Sequence, residues 1–389
     1  MSPARKKSAK KKPARRAAKD ADPLNEVVVD AIKGVATEIR TTIDGDRTPE
    51  LSYPIRSLKN VKYDPKIGYL EILGQTSTRT LSVNTVKPFA QTLRLMSLSK
   101  QMVEVDDFAT KRDAYYQSKN WAEAKFDEQS ESDTVMDDIE AMFAVRGVSR
   151  EQLRFVPEEH GGSVAGQLIV IDQDYETGED IEIDCTRFGS GAYTVPSNVE
   201  HLRFETKAKF ILAIETGGVF DRLNRHKFWQ KANCILVEMG GVPTRACRRF
   251  IRRLAEFRKI PVYAFVDCDP YGIANIYRTL KVGSGNAAHI NRFFCVPTAH
   301  FLGVMPSDIT DFDLKKATHK LKDVDIKRAK DALKNDPFFK RHTKWKQAIK
   351  QMLSMGVRLE QQAFALHSLN YVMDEYLPKK LANTKKFLP

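Results

Sequence analysis

Apolar positions in the first 150 residues follow the spacing of helices. They recur every three to four residues and predict amphipathic helices over 24–43, 87–103 and 137–146. A further helix is predicted over 109–119, with Asp106 or Asp107 as its N-cap. The acidic stretch 125–135 is predicted to be a loop. Compact helices flanked by short strands are compatible with a winged-helix module.

The second half of the chain has a different pattern, in which short continuous apolar runs alternate with helical stretches. These runs lie at 210–214, 234–237 and 262–266, and each is followed by or ends near an acidic residue. Apolar residues at helical spacing predict a helix over 244–258, and further helices are predicted over 326–333, 345–355 and 359–376. Strands that alternate with helices are typical of a parallel sheet covered on both faces. The predicted fold class is therefore mixed α/β.

Short strand-like stretches lie between these regions, at 69–73, 168–171, 181–183 and 193–195. They divide the chain into an N-terminal extension over 24–81, a helical module over 82–150, a connecting β-rich segment over 151–204 and a sheet domain with C-terminal helices over 205–389.

Positive charge is concentrated at the N-terminus. The net charge is +13, and the first 20 residues contribute most of it, with nine Lys or Arg and one Asp. This segment has no apolar stripe to bury, so residues 1–23 are predicted to form a disordered basic tail. Such a tail either solubilises the chain or binds DNA phosphates without sequence preference.

Composition argues against several classes of protein. No run of 18 or more apolar residues is present and the first residues lack a secretory signal, so we expect neither a membrane span nor secretion. The five dispersed cysteines include no C-x-x-C pair, which argues against disulfides and zinc and favours the cytoplasm. No G-x-x-x-x-G-K-[ST] loop is present, so no ATP site is expected in this chain.

Three acidic residues follow predicted strands of the sheet domain: Glu215, Asp267 and Asp269. Ligands of open parallel sheets bind beyond the carboxyl ends of the strands, where these side chains would converge. Three carboxylates at one place repel one another unless a hard cation neutralises them, and oxygen ligands suit Mg²⁺. The sequence thus favours a magnesium site, although an Asp-x-Asp motif also begins ordinary turns.

Two adjacent tyrosines lie in the predicted helix over 109–119. Tyr115 is seven residues from Phe108, so these two are predicted to share a buried face. Tyr116 lies about 100° further round the helix, on the same face as Arg112. A neighbouring guanidinium favours the phenolate and stabilises charge on a phosphate under attack. This makes Tyr116 the candidate nucleophile and Arg112 its helper, against the commoner explanation that a Tyr-Tyr pair simply packs.

The predicted helix over 244–258 carries five arginines on its polar side: Arg245, Arg248, Arg249, Arg252 and Arg253. A solvated helix face is the ordinary explanation of such charge. Arginine forks also pair well with phosphates, which would make the face a DNA-binding surface. We favour DNA contact for Arg248, with Arg245 as the second candidate.

Together these residues resemble the A subunits of archaeal-type DNA topoisomerase VI, a type IIB topoisomerase family. The resemblance extends from about Asn25 to the end of the chain. Lys-Arg-Asp-Ala-Tyr-Tyr at 111–116 is similar to the family's tyrosine motif, and the acidic strand ends at 211–215 and 266–272 are similar to its Toprim motifs. Other similar stretches lie at 240–248, 281–284, 301–304 and 356–362. Cys247 stands where threonine is usual.

The resemblance implies a winged-helix (CAP-like) domain followed by a Toprim domain. In it, the second tyrosine of the motif, Tyr116, is the nucleophile. Glu215, Asp267 and Asp269 would bind Mg²⁺, with Glu215 also counted as catalytic. The family further implies a homodimer on double-stranded DNA, in which the tyrosine of one subunit works with the metal site of the other. A separate B subunit would bind ATP and complete an A2B2 enzyme, and residues 24–81 are the expected contact with it.

Two other functions compete with that of a topoisomerase subunit, which would be cytoplasmic and nucleoid-associated. A relative that makes double-strand breaks in recombination, without strand passage, would use the same catalytic residues. A noncatalytic DNA-binding protein would need only the basic tail and the arginine-rich helix. Covalent attachment to DNA separates the last of these from the other two.

Overall fold

A computed structural model describes residues 23–157, 160–174, 176–285 and 287–389. The predicted basic tail lies outside these residues except for Pro23. Within the described part of the chain, no helix is both long and apolar enough to cross a membrane.

The described part of the chain begins with a long helix and two small antiparallel sheets. These elements are α1 (Pro23–Asp44), β1 (Glu50–Pro54), β2 (Val61–Asp64), β3 (Tyr69–Ile72) and β4 (Thr76–Thr80). β1 pairs with β4, and β2 with β3. α1 confirms the helix predicted over 24–43. The region is not a detached extension, because Val28 and Ile32 of α1 are buried in the core of the helices that follow, while Leu70 of β3 belongs to the core of the large sheet.

Three helices form the module that carries the two tyrosines. The elements are α2 (Val86–Val105), β5 (Ala109–Thr110), α3 (Lys111–Ser118), α4 (Gln129–Ala144) and β6 (Phe155–Val156), with β5 parallel to β6. The loop predicted over 125–135 is wrong beyond residue 128, because α4 already begins at Gln129. Ser132, Val135 and Met136 are buried at helical spacing, so one face of this acidic stretch packs against the core.

The β-rich segment is divided between two sheets. It contains β7 (Ser163–Gly166), β8 (Ile169–Gln173), β9 (Asp180–Asp184), β10 (Tyr193–Thr194) and β11 (Arg203–Glu205). β8, β9 and β11 form an antiparallel sheet in the order β11-β8-β9. β7 and β10 instead extend the large sheet, since β7 pairs with one of its strands through Val164–Gly166. The segment therefore extends the edge of the large sheet as well as connecting two parts of the chain.

The large sheet contains four adjacent parallel strands and confirms the predicted α/β class. These are β12 (Phe210–Ile214), β13 (Cys234–Glu238), β14 (Val262–Phe265) and β15 (Ala299–Gly303), and the sheet order is β10-β7-β13-β12-β14-β15. The connecting helices are α5 (Gly217–Arg225), α6 (Phe228–Ala232), α7 (Arg245–Arg258), α8 (Arg278–Val282) and α9 (Asn291–Phe294). All five residues of β12 are buried, as expected for a strand covered on both faces. Glu215, which follows β12, thus lies at the carboxyl end of a buried strand.

The C-terminal part packs short helices against the sheet. It comprises α10 (Asp308–Asp311), β16 (His319–Lys320), α11 (Asp323–Asn335), α12 (Pro337–Arg341), α13 (Thr343–Met355), β17 (Val357–Arg358) and α14 (Leu377–Leu381). α11 and α13 confirm two predicted helices. The helix predicted over 359–376 is wrong, because the chain instead makes a 3₁₀ segment, Gln361–Leu366, and a π-helical segment, Val372–Tyr376. Backbone hydrogen bonds between Leu359 and Cys268 hold the start of the predicted helix in an extended conformation.

Candidate active site

Glu215, Asp267 and Asp269 lie together at the carboxyl edge of the large sheet. β12 and β14 are parallel neighbours with Ile214 opposite Phe265, so the residues that follow them leave the sheet side by side. The backbone N–H of Asp267 donates to Oε2 of Glu215 at 2.8 Å. The N–H of Gly272 donates to Oδ1 of Asp269 at 2.5 Å. The structure thus brings together the three acids named from the sequence.

The crowding of these acids opposes their ionisation. Burial raises the pKa of Glu215 to about 8, and the neighbouring charge of Asp267 adds to the effect. Burial likewise raises the pKa of Asp267 to about 6. The pKa of the Asp269 carboxyl is also raised, again mainly by burial. A nearby cation would stabilise the charged forms of these carboxylates, which are desolvated and repel one another.

The donor chemistry of this edge fits a hard divalent cation. Backbone N–H groups hold one oxygen of Glu215 and one of Asp267, and no hydrogen bond within the described residues engages the other oxygen of either side chain. No three His, Cys, Asp or Glu side chains in this part of the protein are already gathered as a set of ligands around one point. Binding a single ion through all three acids would therefore require side-chain rotation.

The segment after α13 completes this edge, which the sequence did not predict. The N–H of Gln361 donates to Oδ1 of Asp267 at 2.8 Å, and its side-chain amide donates to the carbonyl of Phe265 at 2.5 Å. The hydroxyl of Thr216 donates to the Gln361 amide oxygen. Gln361 is fully buried, so it ties the ends of β12 and β14 together. The only signal in the sequence was the resemblance of 356–362 to family sequence.

The helix α3 presents the two tyrosines and begins with a well-formed cap. Thr110 accepts a hydrogen bond from the N–H of Asp113 at 3.1 Å, and Asp113 accepts one from the Thr110 N–H at 2.9 Å. This capping box satisfies donors at the helix start. The predicted cap at Asp106 or Asp107 is therefore wrong, and the helix starts later than predicted because β5 holds Ala109 and Thr110 extended.

The two tyrosines have different surroundings. The Tyr115 hydroxyl donates to the carbonyl of Asp127 at 3.0 Å, and the Lys119 ammonium lies 4.1 Å from the centre of its ring. Tyr116 is 56 % exposed, and no hydrogen bond to its hydroxyl is present among the described residues. The predicted packing of Phe108 with Tyr115 is wrong, since Phe108 precedes the helix and is 64 % exposed. The two phenols nevertheless differ, because Tyr115 is held by Asp127 and Lys119 whereas the Tyr116 hydroxyl has no hydrogen-bond partner among the described residues.

Arg245 occupies a different place from the one predicted for it. Its guanidinium makes paired hydrogen bonds of 2.6 to 3.1 Å with Glu140 of α4 and with Glu151. Burial alone would raise the pKa of the Glu140 carboxyl, but Arg245 and its neighbours outweigh burial and hold that pKa well below its usual range. The predicted DNA contact of Arg245 is therefore not supported. The residue joins the helical module to the sheet domain.

The other four arginines of the predicted phosphate-tracking surface also face protein, which corrects that prediction. Arg248 is only 8 % exposed and lies 5.8 Å from the Phe294 ring centre, so DNA contact by its side chain is not supported either. Arg249 pairs with Glu200, and Arg253 donates to the carbonyls of Val199 and Leu202. Such long-range partners cannot be predicted from the helical spacing of charge alone.

Tyr116 and the three acids are not joined in the single chain. Within the described residues, no hydrogen bond, ion pair or ring contact connects α3 with Glu215, Asp267 or Asp269. Arg112 is exposed, one turn before Tyr116 in the same helix. The helical module therefore offers an accessible phenol with a neighbouring guanidinium. The sheet domain offers the acidic edge, which is formed by Glu215, Asp267 and Asp269.

Three sequence families match successive parts of the chain. Residues 87–154 match the family described as type IIB DNA topoisomerase. Residues 158–208 match the all-beta domain in DNA topoisomerase VI alpha subunit. Residues 210–381 match the family of Toprim domains found in topoisomerase 6 A subunits and Spo11. The tyrosine helix thus falls in the first match and the acidic edge in the third.

The chain is also similar over most of its length to curated proteins named as the A subunits of type 2 DNA topoisomerase 6. The protein of Methanocaldococcus jannaschii is 50% identical over 364 residues, which cover 94% of this chain and 97% of that protein. The proteins of Methanothermobacter thermautotrophicus and Pyrococcus abyssi are 36% and 34% identical, and each alignment covers 92% of this chain and at least 94% of the relative.

Proposed function

Because the chain belongs to the family of type 2 DNA topoisomerase 6 A subunits, the DNA-cleaving subunits of type IIB topoisomerases, we propose that Tyr116 is its nucleophile. The observation that carries this assignment is the contrast between the two tyrosines. The Tyr115 hydroxyl is engaged by a backbone carbonyl, whereas the Tyr116 phenol is exposed beside Arg112. Tyr116 is therefore the phenol that a DNA phosphate can reach.

The proposed reaction is a transesterification. The phenolic oxygen of Tyr116 attacks the phosphorus of a phosphodiester while its proton passes to solvent. The bond from phosphorus to the 3′ oxygen breaks, and that oxygen takes up a proton to leave as a hydroxyl. The product is a 5′-phosphotyrosyl ester, which retains the energy of the original bond, so the reverse attack rejoins the strand. Arg112 stabilises the charge on the phosphate.

The acidic edge would hold Mg²⁺ through Glu215, Asp267 and Asp269. When bound, the ion supplies a positive charge that orients the phosphodiester and stabilises the leaving oxygen. The support is chemical: the raised pKa values of Glu215 and Asp267 belong to carboxylates that are costly to ionise without a cation. Gln361 positions Asp267 and Phe265 for this role through its backbone and side-chain hydrogen bonds.

A second copy of the chain would bring the two halves of the site together. No contact inside one chain joins Tyr116 to the acids in the residues that the structure describes, which supports an arrangement in which the phenol of one subunit meets the acidic edge of the other. In this proposal, residues 82–150 act as a winged-helix domain and the homodimer holds duplex DNA across both subunits.

A B subunit would complete the enzyme as an A2B2 assembly. The sequence has no phosphate-binding loop of the G-x-x-x-x-G-K-[ST] type, so ATP would bind to that partner and drive strand passage during relaxation and decatenation. Residues 24–81 are the proposed contact with it. Such an assembly would act on the chromosome in the cytoplasm. Relatives named as topoisomerase subunits favour this function over break formation without strand passage.

Covalent trapping tests the proposal. The chain is mixed with its B subunit, Mg²⁺, ATP and duplex DNA, and the reaction is stopped by denaturation. We expect protein attached to 5′ DNA ends, lost on removal of Mg²⁺. Tyr116→Phe should abolish the adduct, whereas the matched variant Tyr115→Phe should leave a detectable fraction. Adduct formation by Tyr116→Phe would overturn the assignment, and absence of any adduct with the wild-type protein would favour a noncatalytic DNA-binding protein.

A further inference from the structure

An arginine lies directly opposite the Asp-x-Asp motif on a neighbouring segment. Cys268 and Leu359 form an isolated antiparallel bridge, with N–H to carbonyl distances of 2.8 and 3.0 Å in the two directions. In such pairing, the residues that flank the bridged pair lie opposite one another. Asp269 is therefore opposite Arg358.

The same pairing decides which way these side chains face. Cys268 and Leu359 are both fully buried. Side chains alternate between the two faces of an extended segment, so the neighbours of a buried pair face the other way. Arg358 consequently faces the same side as Asp267 and Asp269. Its charge acts on both carboxyl groups and opposes the effect of burial on their pKa values.

Arg358 has donors that the protein does not use. Its Nε is buried and has no hydrogen-bond partner among the described residues. Its Nη1 lies 3.8 Å from Oε1 of Glu360, which is longer than a hydrogen bond. A buried guanidinium donor left unpaired is unfavourable. This distinguishes Arg358 from Arg245, whose three guanidinium nitrogens all donate to carboxylates, and from Arg249, which donates to Glu200 and to the Phe293 carbonyl. Arg150 and Arg248 share a buried Nε without a partner among the described residues, but Arg358 is the arginine opposite Asp269.

A role as a simple counter-ion for the acids does not account for these observations. A counter-ion would make close hydrogen bonds to Asp267 or Asp269, yet these carboxylates accept from the backbone N–H groups of Gln361 and Gly272. What fits an unpaired guanidinium next to a cation site is an anion with several oxygens. A phosphodiester has two nonbridging oxygens that match the guanidinium fork.

We propose that Arg358 is a phosphate-binding residue of the active site, which holds a nonbridging oxygen of the phosphodiester that Tyr116 attacks. The inference rests on the proposed function. The guanidinium stays protonated throughout and transfers no proton. Its contribution is electrostatic, because negative charge on the nonbridging oxygens is held next to a fixed cation as the phosphorus–oxygen bond forms and the opposite one breaks.

The test compares cleavage with metal binding in the same variants. Arg358→Ala removes the guanidinium, and Arg358→Lys keeps the charge without the fork. Lys320→Ala is the matched control, because Lys320 lies opposite Val357 in the adjoining strand and is exposed. Adduct formation is timed with the B subunit, Mg²⁺, ATP and duplex DNA. Affinity for Mn²⁺ alone is measured without DNA by electron paramagnetic resonance.

We expect Arg358→Ala to slow adduct formation roughly 100- to 1000-fold. This is the usual effect in enzymes of removing one hydrogen-bond donor that stabilises charge in the transition state. Arg358→Lys should recover part of the rate, and Lys320→Ala should match the wild type. Mn²⁺ affinity should be unchanged or higher in Arg358→Ala, because a positive charge beside the acids has gone.

Two results would overturn the inference. One is a wild-type rate of adduct formation by Arg358→Ala. The other is a parallel loss of Mn²⁺ affinity and cleavage in both Arg358 variants, which would show that the residue supports the acids and not the phosphate. Either result leaves the proposed function intact if the wild type forms the adduct. A wild type that forms none would overturn the proposed function, and the inference with it.

Discussion

The tyrosine helix and the acidic edge differ in how firmly the fold holds their reactive groups. α3 has eight residues, of which only Ala114 and Ser118 are buried. The acids follow β12 and β14, two adjacent parallel strands inside a six-stranded sheet, and Gln361 ties their ends together. The proposed nucleophile, Tyr116, thus lies on a small exposed helix, while the three acids follow buried strands.

This difference suits a reaction in which the tyrosine stays bonded to DNA that must move. In the proposed reaction, a phenol on a short surface helix would follow its DNA end as the two subunits move apart. In the same proposal, the acids stay in a fixed arrangement, so that they would bind a cation again when the DNA ends return. Arg245 connects the regions, because it belongs to the sheet domain yet its partner Glu140 lies in α4 of the helical module.

The largest effect should come from neutralising the acidic edge. Asp267→Asn keeps an oxygen to accept the Gln361 N–H but removes the charge. We expect adduct formation to fall about 1000-fold, which corresponds to ~4 kcal/mol, while DNA affinity changes little. Trapping assays and fluorescence anisotropy measure the two quantities. Asp331→Asn on exposed α11 is the control. Equal loss of cleavage and binding would instead indicate a structural role for Asp267.

The next largest effect should come from removing the Arg245 side chain, which connects the two regions. Arg245→Ala leaves the buried carboxylates of Glu140 and Glu151 without their guanidinium partner. Removing one partner of a buried ion pair costs about 3–5 kcal/mol, which urea denaturation would detect as a lower midpoint. Arg40→Ala removes the exposed pair with Asp44 and should cost at most about 0.5 kcal/mol. Similar losses in the two variants would contradict a central role for Arg245.

The two regions also differ in how well the sequence predicted them. Glu215, Asp267 and Asp269 were identified because parallel strands end at one edge, so residues after apolar runs converge whatever the loops do. Tyr116 is more exposed than Tyr115, as predicted, but the packing partner predicted for Tyr115 was wrong. Phe108 is not part of the helix, and the contact that engages Tyr115 comes from Asp127 in a later loop.

Long-range partners account for most of what the sequence could not predict. Gln361 contacts Asp267 across 94 positions, and Arg245 contacts Glu140 across 105. Helical periodicity reports which face of α7 is charged but not what lies against that face. The predicted DNA surface on α7 therefore proved to be an internal interface. The winged-helix assignment and the contact of residues 24–81 with a B subunit remain predictions.

Stability without metal should depend on pH at the acidic edge. The pKa of Glu215 is raised to about 8 in the folded protein, against roughly 4.3 in an unfolded chain. The folded state then binds more protons between these values, so stability falls as pH rises through this window. Thermal melts from pH 5 to 8 in chelator should show the fall, and Mg²⁺ should reduce it.

Glu215→Gln should flatten this dependence, because the amide does not ionise. Glu256→Gln is the control, since that carboxylate is exposed and paired with Arg252 on the surface of α7. A slope as steep in Glu215→Gln as in the wild type would show that other groups produce it. Asp267 would be the next candidate, as its pKa is raised to about 6.

The smallest effect should come from the cap of the tyrosine helix. Thr110→Ala removes the hydroxyl that accepts the Asp113 N–H, and loss of such a cap costs about 1 kcal/mol. A helix of eight residues has little other internal support, so we expect α3 to open locally and adduct formation to fall about fivefold, the factor that this energy gives. Thr110→Ser keeps the hydroxyl and should behave as the wild type. The urea midpoint should barely move in either variant, because so little of α3 is buried. A large shift of that midpoint would show that the fold holds Tyr116 as firmly as the acids.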